Sequence, residues 1–187
     1  MSQPPYLSGQ LLLSMPGIGD PRFERVVIAM CLHDDDGALG LVTNQPFGTL
    51  TVRDLMARLD VDPGVTPLDA RVMTGGPVEP ARGFVIHSPE YGRSGTTSVG
   101  DRWGLTSTLD ILKDIAAGKG PRRWLSALGC TGWAAGQLDG EMLRHGWQAA
   151  PGEADIIFDT PVEQRWGAAY DRLGIAVARL SAEPGRA

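Results

Sequence analysis

The chain has 187 residues, and its 17 Lys and Arg residues are outnumbered by 22 Asp and Glu residues, which gives a formal net charge of -5 at pH 7. Proteins that bind nucleic acid non-specifically neutralise phosphates with Lys and Arg, so this acidic balance disfavours that class. Hydrophobic residues make up 42% of the chain and charged residues 21%, which is typical of a globular protein and not of a disordered one. The 25 Gly and 14 Pro residues predict many turns between short strands.

The first half of the chain shows alternating strand and turn signals. The apolar runs predict strands at 10–14, 26–33 and 38–44, and Asp34-Asp35-Asp36-Gly37 predicts a hairpin turn between the last two. Thr51-Val52-Arg53-Asp54 has the S/T-x-x-D/E form of a capping box, so a helix is expected from there to a stop before Asp62.

The segment that follows repeats this alternation. Strands are expected at 71–74 and 83–88, with weaker candidates at 94–99 and 103–105, and Gly75-Gly76-Pro77 is expected to form a loop with unusual dihedral angles. Thr108 to Ala117 has a helical apolar face that Gly118 ends.

The stretch from Pro121 to Trp147 looks like one strand–turn–helix unit. Its apolar run at 124–128 predicts a buried strand, Gly129 to Gly132 predicts a sharp turn, and the apolar period changes to a helical one from Trp133. Such a turn would expose backbone N–H groups at a helix start, where an anion or a partner could bind, although the same pattern is ordinary α/β architecture.

The C-terminal part predicts a short buried strand at 156–158 and a well-marked helix. Thr160-Pro161-Val162-Glu163 combines an N-cap, a proline at the first helical position and a capping glutamate. The helix is expected to reach Leu173 with Gly174 as its C-cap, followed by a last strand at 175–180 and a tail. These elements predict an α+β fold in one compact domain over residues 1–187, ordered at about 7–181.

The sequence contains no complete motif for a metal site or for a catalytic thiol. Asp34, Asp35 and Asp36 are consecutive, whereas calcium loops alternate their ligands, so a solvated hairpin tip is the better interpretation. His33 and His87 end apolar strands and could meet at a sheet edge, but structural histidines are favoured because no third ligand is evident. We expect no metal, no cofactor and no catalytic residue.

Cys130 lies in the expected strand-to-helix turn, where a helix N-terminus could stabilise a thiolate. It lacks the spacing of a nucleophile elbow, so catalysis is only an alternative. The wide separation of Cys31 and Cys130 suits a reducing compartment. No stretch approaches the ~20 apolar residues of a membrane span. We expect a soluble, cytoplasmic protein that makes no membrane contact.

Several motifs together resemble the AlgH/YqgE family of bacterial proteins. They are Met15-Pro16-Gly17 with the following Asp20 to Phe23, His33 to Pro46, Gly75 to Glu79, Arg82 to His87, Ser107 to Pro121, and the G-x-x-G-W-x-x-G-Q-L block from Gly129 to Leu138. The resemblance runs from about Leu7 to Ser181 with order and spacing kept. Cys130, Gln45 and His145 depart from it, standing where an aromatic residue, an arginine and an asparagine are common.

The resemblance implies a branched, mixed β-sheet that closes partly into a pseudo-barrel, packed by about four helices. Members of this family are commonly labelled transcriptional regulators or left uncharacterised, and no established activity or cofactor comes with the family name. The acidic chain contains no recognisable helix-turn-helix signature, so direct DNA binding is not favoured by the residues themselves.

The leading hypothesis is therefore a non-enzymatic regulatory protein that binds a protein or small-molecule partner in a surface groove. Strand-end positions place that groove at ten residues, Asn44, Gly75, Gly76, Pro77, Arg82, His87, Gly129, Gly132, Trp133 and Gln137. One alternative is a DNA-binding regulator that uses Lys119, Arg122 and Arg123. The other is a thiol or hydrolase-type enzyme that uses Cys130 with His87 or His33.

Overall fold

The computed structural model describes residues 6–64, 68–144 and 146–177. Within these ranges the ten strands are β1 Leu11–Ser14, β2 Val27–Asp34, β3 Gly37–Val42, β4 Pro46–Thr51, β5 Arg71–Thr74, β6 Val78–His87, β7 Thr96–Val99, β8 Trp103–Thr106, β9 Trp124–Ala134 and β10 Trp147–Ala150. The helices are α1 Val52–Arg58, α2 Leu109–Ala116, α3 Gln137–Leu143, α4 Ala154–Phe158 and α5 Arg165–Arg172, with 3-10 turns at Pro21–Phe23 and Val162–Gln164.

All ten strands belong to one curled sheet, whose order is β10-β1-β2-β3-β9-β6-β8-β7. The sheet branches at β9, because β9 pairs with β3 through residues 131–134 and with β6 through residues 124–130. It also pairs in parallel with β5, which carries β4 on its other side. The remaining pairs are antiparallel, so the expected α+β fold with a branched, mixed and partly closed sheet is confirmed.

Local sequence signals place most of the early elements as expected. Asp34 closes the β2–β3 hairpin, since its Oδ1 accepts the Asp36 N–H at 2.8 Å. The capping box of α1 is formed, with Thr51 and Asp54 each accepting a backbone N–H of the other. Helix α2 begins after Thr108 and ends before Gly118, whose φ of 73° lies in the left-handed region.

The expected turn at 129–132 is wrong, because β9 runs without interruption from Trp124 to Ala134. The expected helix start at Trp133 is wrong for the same reason. The chain turns only at Gly136, whose φ is 70°, and α3 follows at Gln137. Of the two glycines that suggested a turn, Gly129 instead permits a close approach between backbones.

Several predictions for the C-terminal part differ from the structure. The apolar run at 156–158 lies in α4 and not in a strand, since three apolar residues fit a buried helical turn equally well. The helix expected from Pro161 begins as a 3-10 turn and becomes α-helical only at Arg165. Residues 175–177 are not a strand, and 178–180 lie outside the described residues. Strands β4 and β10 were not predicted from the sequence.

The core consists of three clusters separated by the sheet. One lies between the sheet and α4 and α5, and its largest members are Trp103, Trp166 and Tyr170. A second packs α1 and α2 against β5 and β6. The third joins β2 and β3 to α3, and it contains Trp133 and Trp147. The third cluster supports the floor of the candidate site.

Candidate functional site

Three glycines form the point where the sheet branches, and we call Gly75, Gly76 and Gly129 the branch point. A Cβ atom built on Gly75 would lie 2.2 Å from the Gly129 carbonyl oxygen, and one on Gly76 would lie 2.3 Å from the Cys130 carbonyl carbon. A Cβ on Gly129 would lie 2.3 Å from the Gly76 oxygen. The backbones therefore touch, and only glycine permits that approach.

A cleft of about 460 Å³ opens beside the branch point, between the end of β9, α3 and the segment after β1. We call it the Glu141 cleft, after the side chain that organises its wall. Its lining residues come from distant parts of the chain, and they are Ile18, Asp20, Arg22, Phe23, Pro77, Gly132, Trp133, Gln137, Glu141, Arg144, Gly146 and Trp147.

Glu141 accepts hydrogen bonds from three side chains that line the cleft. Its Oε2 accepts the indole N–H of Trp133 at 3.0 Å and that of Trp147 at 2.9 Å. Its Oε1 accepts an amide N–H of Gln137 at 3.0 Å. The Gln137 amide oxygen in turn accepts the backbone N–H of Ala134 at 3.0 Å, where β9 ends. One carboxylate thus fixes α3 to two strands.

The aromatic side chains of the cleft pack edge to face. The ring centroids of Trp133 and Trp147 are 6.2 Å apart at an interplanar angle of 81°, and those of Phe23 and Trp147 are 5.6 Å apart at 73°. Aromatic pairs favour this geometry because a positive ring edge meets a negative ring face. Trp133 and Trp147 are buried, at 8% and 6% exposure, so only their edges reach the cleft.

Two arginines border the cleft and differ in their partners. Arg22 forms an ion pair with Asp20, with 2.7 Å between Nη2 and Oδ2, and its Cζ lies 5.6 Å from the Phe23 ring centroid. The Arg22 guanidinium also lowers the pKa of Asp20. Arg144 is exposed and forms no ion pair with the part of the chain that the structure describes. A cation is thus available at the rim.

The structure brings some of the ten predicted groove residues together and separates others. Pro77, Gly132, Trp133 and Gln137 line the Glu141 cleft. Gly75, Gly76 and Gly129 form the adjoining branch point, where their contacts are structural. Binding by these residues remains a prediction. The remaining three, Asn44, Arg82 and His87, do not line the cleft.

Each of these three has partners elsewhere. Asn44 accepts the Val27 N–H at 2.9 Å and donates to the Arg25 carbonyl at 2.8 Å, so it closes a backbone gap beside β2. Arg82 donates to Ser107 Oγ at 3.0 Å.

His87 is fully buried, with Nδ1 at 2.9 Å from the Ser88 oxygen and Nε2 at 2.9 Å from Thr106 Oγ1. Burial lowers the pKa of His87, so the neutral imidazole is favoured at pH 7.

The groups of the thiol alternative are not arranged for catalysis. Cys130 is 1% exposed within the core, and burial raises the pKa of its thiol, which disfavours the nucleophilic thiolate. His33 and His87 stand on strands β2 and β6, which β3 and β9 separate. His33 accepts the Leu7 N–H at Nδ1, and its Nε2 lies 3.5 Å from an Asp139 oxygen.

Three further observations concern DNA binding, metal binding and membrane spans. Arg123, from the basic group considered for DNA, pairs with Asp159 at 2.6 Å and lies over the Phe158 ring. Among the described residues, no group of His, Cys, Asp or Glu is arranged to hold a metal ion. Within that same part of the chain, every helix is too short or too polar to cross a membrane.

Sequence reasoning missed Glu141, Phe23 and Arg22 as members of the site. A usable signal was present, because Gln137, Glu141 and Arg144 fall on one polar stripe of the helical period. Phe23 and Arg22 come from a 3-10 turn whose position beside α3 depends on the β1–β10 pairing. That pairing has no signature in the sequence.

Comparison with known proteins gives consistent matches. The profile of a family described as AlgH-like matches residues 11–178. The UPF0301 protein of Rhizorhabdus wittichii is 54% identical over 187 residues, which is 100% of both chains, and that of Sphingopyxis alaskensis is 50% identical over 184 residues, which is 98% of both.

Two solved structures are similar over nearly their whole length. The solution structure of the AlgH protein from Pseudomonas aeruginosa has a TM-score of 0.78 and 37% identity, covering 100% of this chain and 99% of that one. Protein DIP2367 from Corynebacterium diphtheriae has a TM-score of 0.77 at 18% identity, covering 98% of this chain and 95% of that one. The second likeness concerns the fold alone.

Proposed function

The chain belongs to the AlgH-like family, and we propose that it is a non-enzymatic, cytoplasmic regulatory protein that acts by binding a partner in the Glu141 cleft. The observation that carries this proposal is the convergence of the Trp133, Trp147 and Gln137 N–H groups on the Glu141 carboxylate. Two indoles held by one carboxylate form a rigid wall before any partner arrives. A preorganised wall reduces the entropy lost on binding.

The chemistry of the cleft favours recognition over catalysis. Its volume of about 460 Å³ lies within the ~300–1,000 Å³ typical of small-molecule sites. Its inward carboxylate, Glu141, already accepts three hydrogen bonds, so it is poorly placed to act as a general base. Among the described lining residues there is no Ser, Thr, Cys, Lys or His that could act as a nucleophile.

The cleft suits a ligand with a planar body and a negative group. The Phe23 ring and the edges of the Trp133 and Trp147 rings line the cleft, and a planar body can pack against them edge to face, as the rings already do with each other. Arg144 offers an unpaired guanidinium at the rim for the negative group, since no described residue forms an ion pair with it. A planar acid, or an acidic peptide with an aromatic side chain, meets both requirements.

Any effect on transcription would then pass through this partner and not through direct DNA contact. The formal charge of -5 opposes phosphate binding. Of the three basic residues considered, Arg123 is committed to Asp159 at 2.6 Å. A mobility-shift series in rising salt would reveal real phosphate contacts, because they weaken steeply as salt increases.

The proposal is tested with a variant that fills the cleft and a matched control. Gly132 has ordinary dihedral angles, and a Cβ there would lie 3.7 Å from Val78 Cγ2, so Gly132→Leu fits the strand and adds bulk at a position that lines the cleft. Gly92→Leu is the control, because a Cβ on Gly92 meets nothing within 4 Å and Gly92 does not line the cleft.

All three proteins are immobilised and exposed to bacterial lysate, and the retained small molecules and proteins are identified by mass spectrometry. We expect one or more compounds or proteins retained by wild type and by Gly92→Leu, and lost or reduced at least about tenfold by Gly132→Leu. Equal retention by Gly132→Leu, or no specific retention by wild type, would contradict the proposal.

A further inference from the structure

A second cavity, of about 250 Å³, lies between strands β5 and β9 and the chain from α4 to α5. Its walls are mainly apolar, with Leu125, Ile157 and Phe158 among them, and Trp124 forms part of one side. Two arginines also line it, namely Arg71 and Arg165. The Glu141 cleft shares no lining residue with this cavity, so a ligand here would bind independently of a partner in the Glu141 cleft.

Arg165 is a buried cation whose partners are backbone carbonyls. It is 7% exposed, its Nε donates to the Thr160 oxygen at 2.9 Å, and its Nη1 donates to the Thr43 oxygen. No carboxylate forms an ion pair with it in the described ranges of the chain. Burial lowers the pKa of Arg165 to about 10, with Glu163 acting in the opposite direction, so the side chain is charged at pH 7.

The Nη2 group of Arg165 is left for a ligand. It donates to no acceptor among the described residues, where the hydrogen bonds of this side chain come from Nε and Nη1. No side-chain nitrogen in the described part of the chain is both fully buried and without a partner. Nη2 must therefore reach accessible space, and because Arg165 lines the cavity, we place this donor there.

A buried guanidinium without a carboxylate is an unusual feature. Withdrawing a charge from water is costly unless an opposite charge compensates for it, and carbonyl dipoles compensate only in part. An anion in the cavity would complete the set of partners, and the Arg guanidinium matches the geometry of a carboxylate. Arg71 at the same cavity adds a second positive charge, although its Nη2 already donates to the Gly48 oxygen.

The cavity walls decide which anion is suitable. Inorganic phosphate is polar on every side and would lose hydration against Leu125, Ile157 and Phe158 without gaining hydrogen bonds there. A monocarboxylate with an apolar body would place its charge at Arg165 and its body against those side chains. The volume of about 250 Å³ is below the ~300 Å³ where drug-sized sites begin, so the ligand is small.

We propose that this cavity is a binding site for a small apolar monocarboxylate, held by Arg165 and enclosed by Leu125, Ile157 and Phe158. Benzoate and isovalerate are suitable probes, benzamide is the uncharged analogue, and inorganic phosphate is the polar anion. Binding is followed by two-dimensional NMR, with the backbone N–H signals of Trp124 and Leu125, two residues that line the cavity, as reporters.

Two variants keep the test independent of folding. Arg165→Lys keeps a positive charge but removes the planar donor set, and its fold is checked by circular dichroism. Ala70→Trp adds bulk at an exposed position that lines the cavity, so it blocks the ligand without entering the core. Ala57→Trp, on the exposed side of α1, is the matched control for an added indole.

We expect saturable binding of benzoate or isovalerate to wild type and to Ala57→Trp, with at least about tenfold weaker binding to Ala70→Trp and to any folded Arg165→Lys. Benzamide and phosphate should produce no saturable shift of the Trp124 signal. The proposal is overturned if wild type fails to bind either carboxylate up to its solubility limit. It is equally overturned if Ala70→Trp binds like wild type, or if phosphate or benzamide binds as well as benzoate.

Discussion

The Glu141 cleft and the cavity lined by Arg165, Leu125, Ile157 and Phe158 each contain a charged side chain, but the two side chains have opposite surroundings. Glu141 accepts three N–H groups from the protein itself, and the aromatic wall depends on those bonds. Arg165 is buried against two carbonyl oxygens and keeps donors that no described residue accepts. The first charge is therefore a structural element beside a binding surface, and the second is a recognition group in its own right.

The largest expected effect comes from breaking the branch point, to which the Glu141 cleft is adjacent. Gly76 has a φ of 152°, and a Cβ there would lie 2.3 Å from the Cys130 backbone, so Gly76→Ala forces the connection between β5 and β6 away from β9. We expect a loss of more than about 4 kcal/mol in the free energy of unfolding, or no cooperative fold at all. Urea denaturation measures it, and Gly92→Ala, which meets no neighbour, is the control. An unchanged midpoint for Gly76→Ala would show that Gly76 and the Cys130 backbone are not in contact.

A smaller but still large effect is expected from removing the carboxylate of the cleft. Glu141→Ala leaves the indole N–H groups of Trp133 and Trp147 without an acceptor while the rings stay at 8% and 6% exposure. Each unsatisfied donor costs about 1–3 kcal/mol, so a loss of about 3 kcal/mol in the free energy of unfolding is expected. Chemical denaturation followed by tryptophan fluorescence gives the value.

The conservative change Glu141→Gln separates hydrogen bonding from packing. Its amide oxygen can replace Oε2, which accepts both indoles, whereas the bond to Gln137 is lost. We expect a loss of about 1 kcal/mol, clearly less than for Glu141→Ala. Equal losses in the two variants would mean that Glu141 does not act as the acceptor that holds the wall.

The pH dependence of ligand binding should differ between the two regions. In the cavity lined by Arg165, we expect the affinity for benzoate to fall about tenfold at high pH. Because burial lowers the Arg165 pKa to about 10, the guanidinium stays charged through neutral pH and loses its proton as the pH rises through that value. The charged form binds a carboxylate, so benzoate affinity should be level near pH 8 and about tenfold weaker one pH unit above the pKa.

NMR titrations of benzoate at the two pH values measure this change, with circular dichroism confirming that the protein remains folded. If benzoate binds equally well after Arg165 has lost its proton, the ligand is not held by this charge. A compound retained in the Glu141 cleft should not share this dependence on the Arg165 proton.

Sequence alone could predict the elements whose signals are local. The Thr51–Asp54 capping box and the β2–β3 hairpin turn depend on neighbouring residues, and both are present. The segment at 129–132 could not be assigned correctly, because Gly129 serves contacts with Gly75 and Gly76, which are more than 50 residues away along the chain. Glycine for a turn and glycine for close strand approach have the same appearance in a sequence.

The difference between local signals and long-range contacts also explains why only some of the predicted groove residues line the Glu141 cleft. Trp133 and Gln137 belong to one contiguous motif, and the structure places both on the wall of the Glu141 cleft. Asn44 and His87 were grouped with them because all end strands, yet each has structural partners elsewhere. Which strand ends meet depends on the order of strands around β9, and no local pattern records that order.

The central claim is that the Glu141 cleft is preformed and is the place where the partner binds. Its most direct test is to add the small-molecule and protein fractions of bacterial lysate to labelled protein, and to follow the indole N–H signals of Trp133 and Trp147. We expect one fraction to shift both signals in wild type and in Gly92→Leu, and to leave them unchanged in Gly132→Leu. Signals that neither fraction moves in wild type, or that move equally in Gly132→Leu, would contradict the claim.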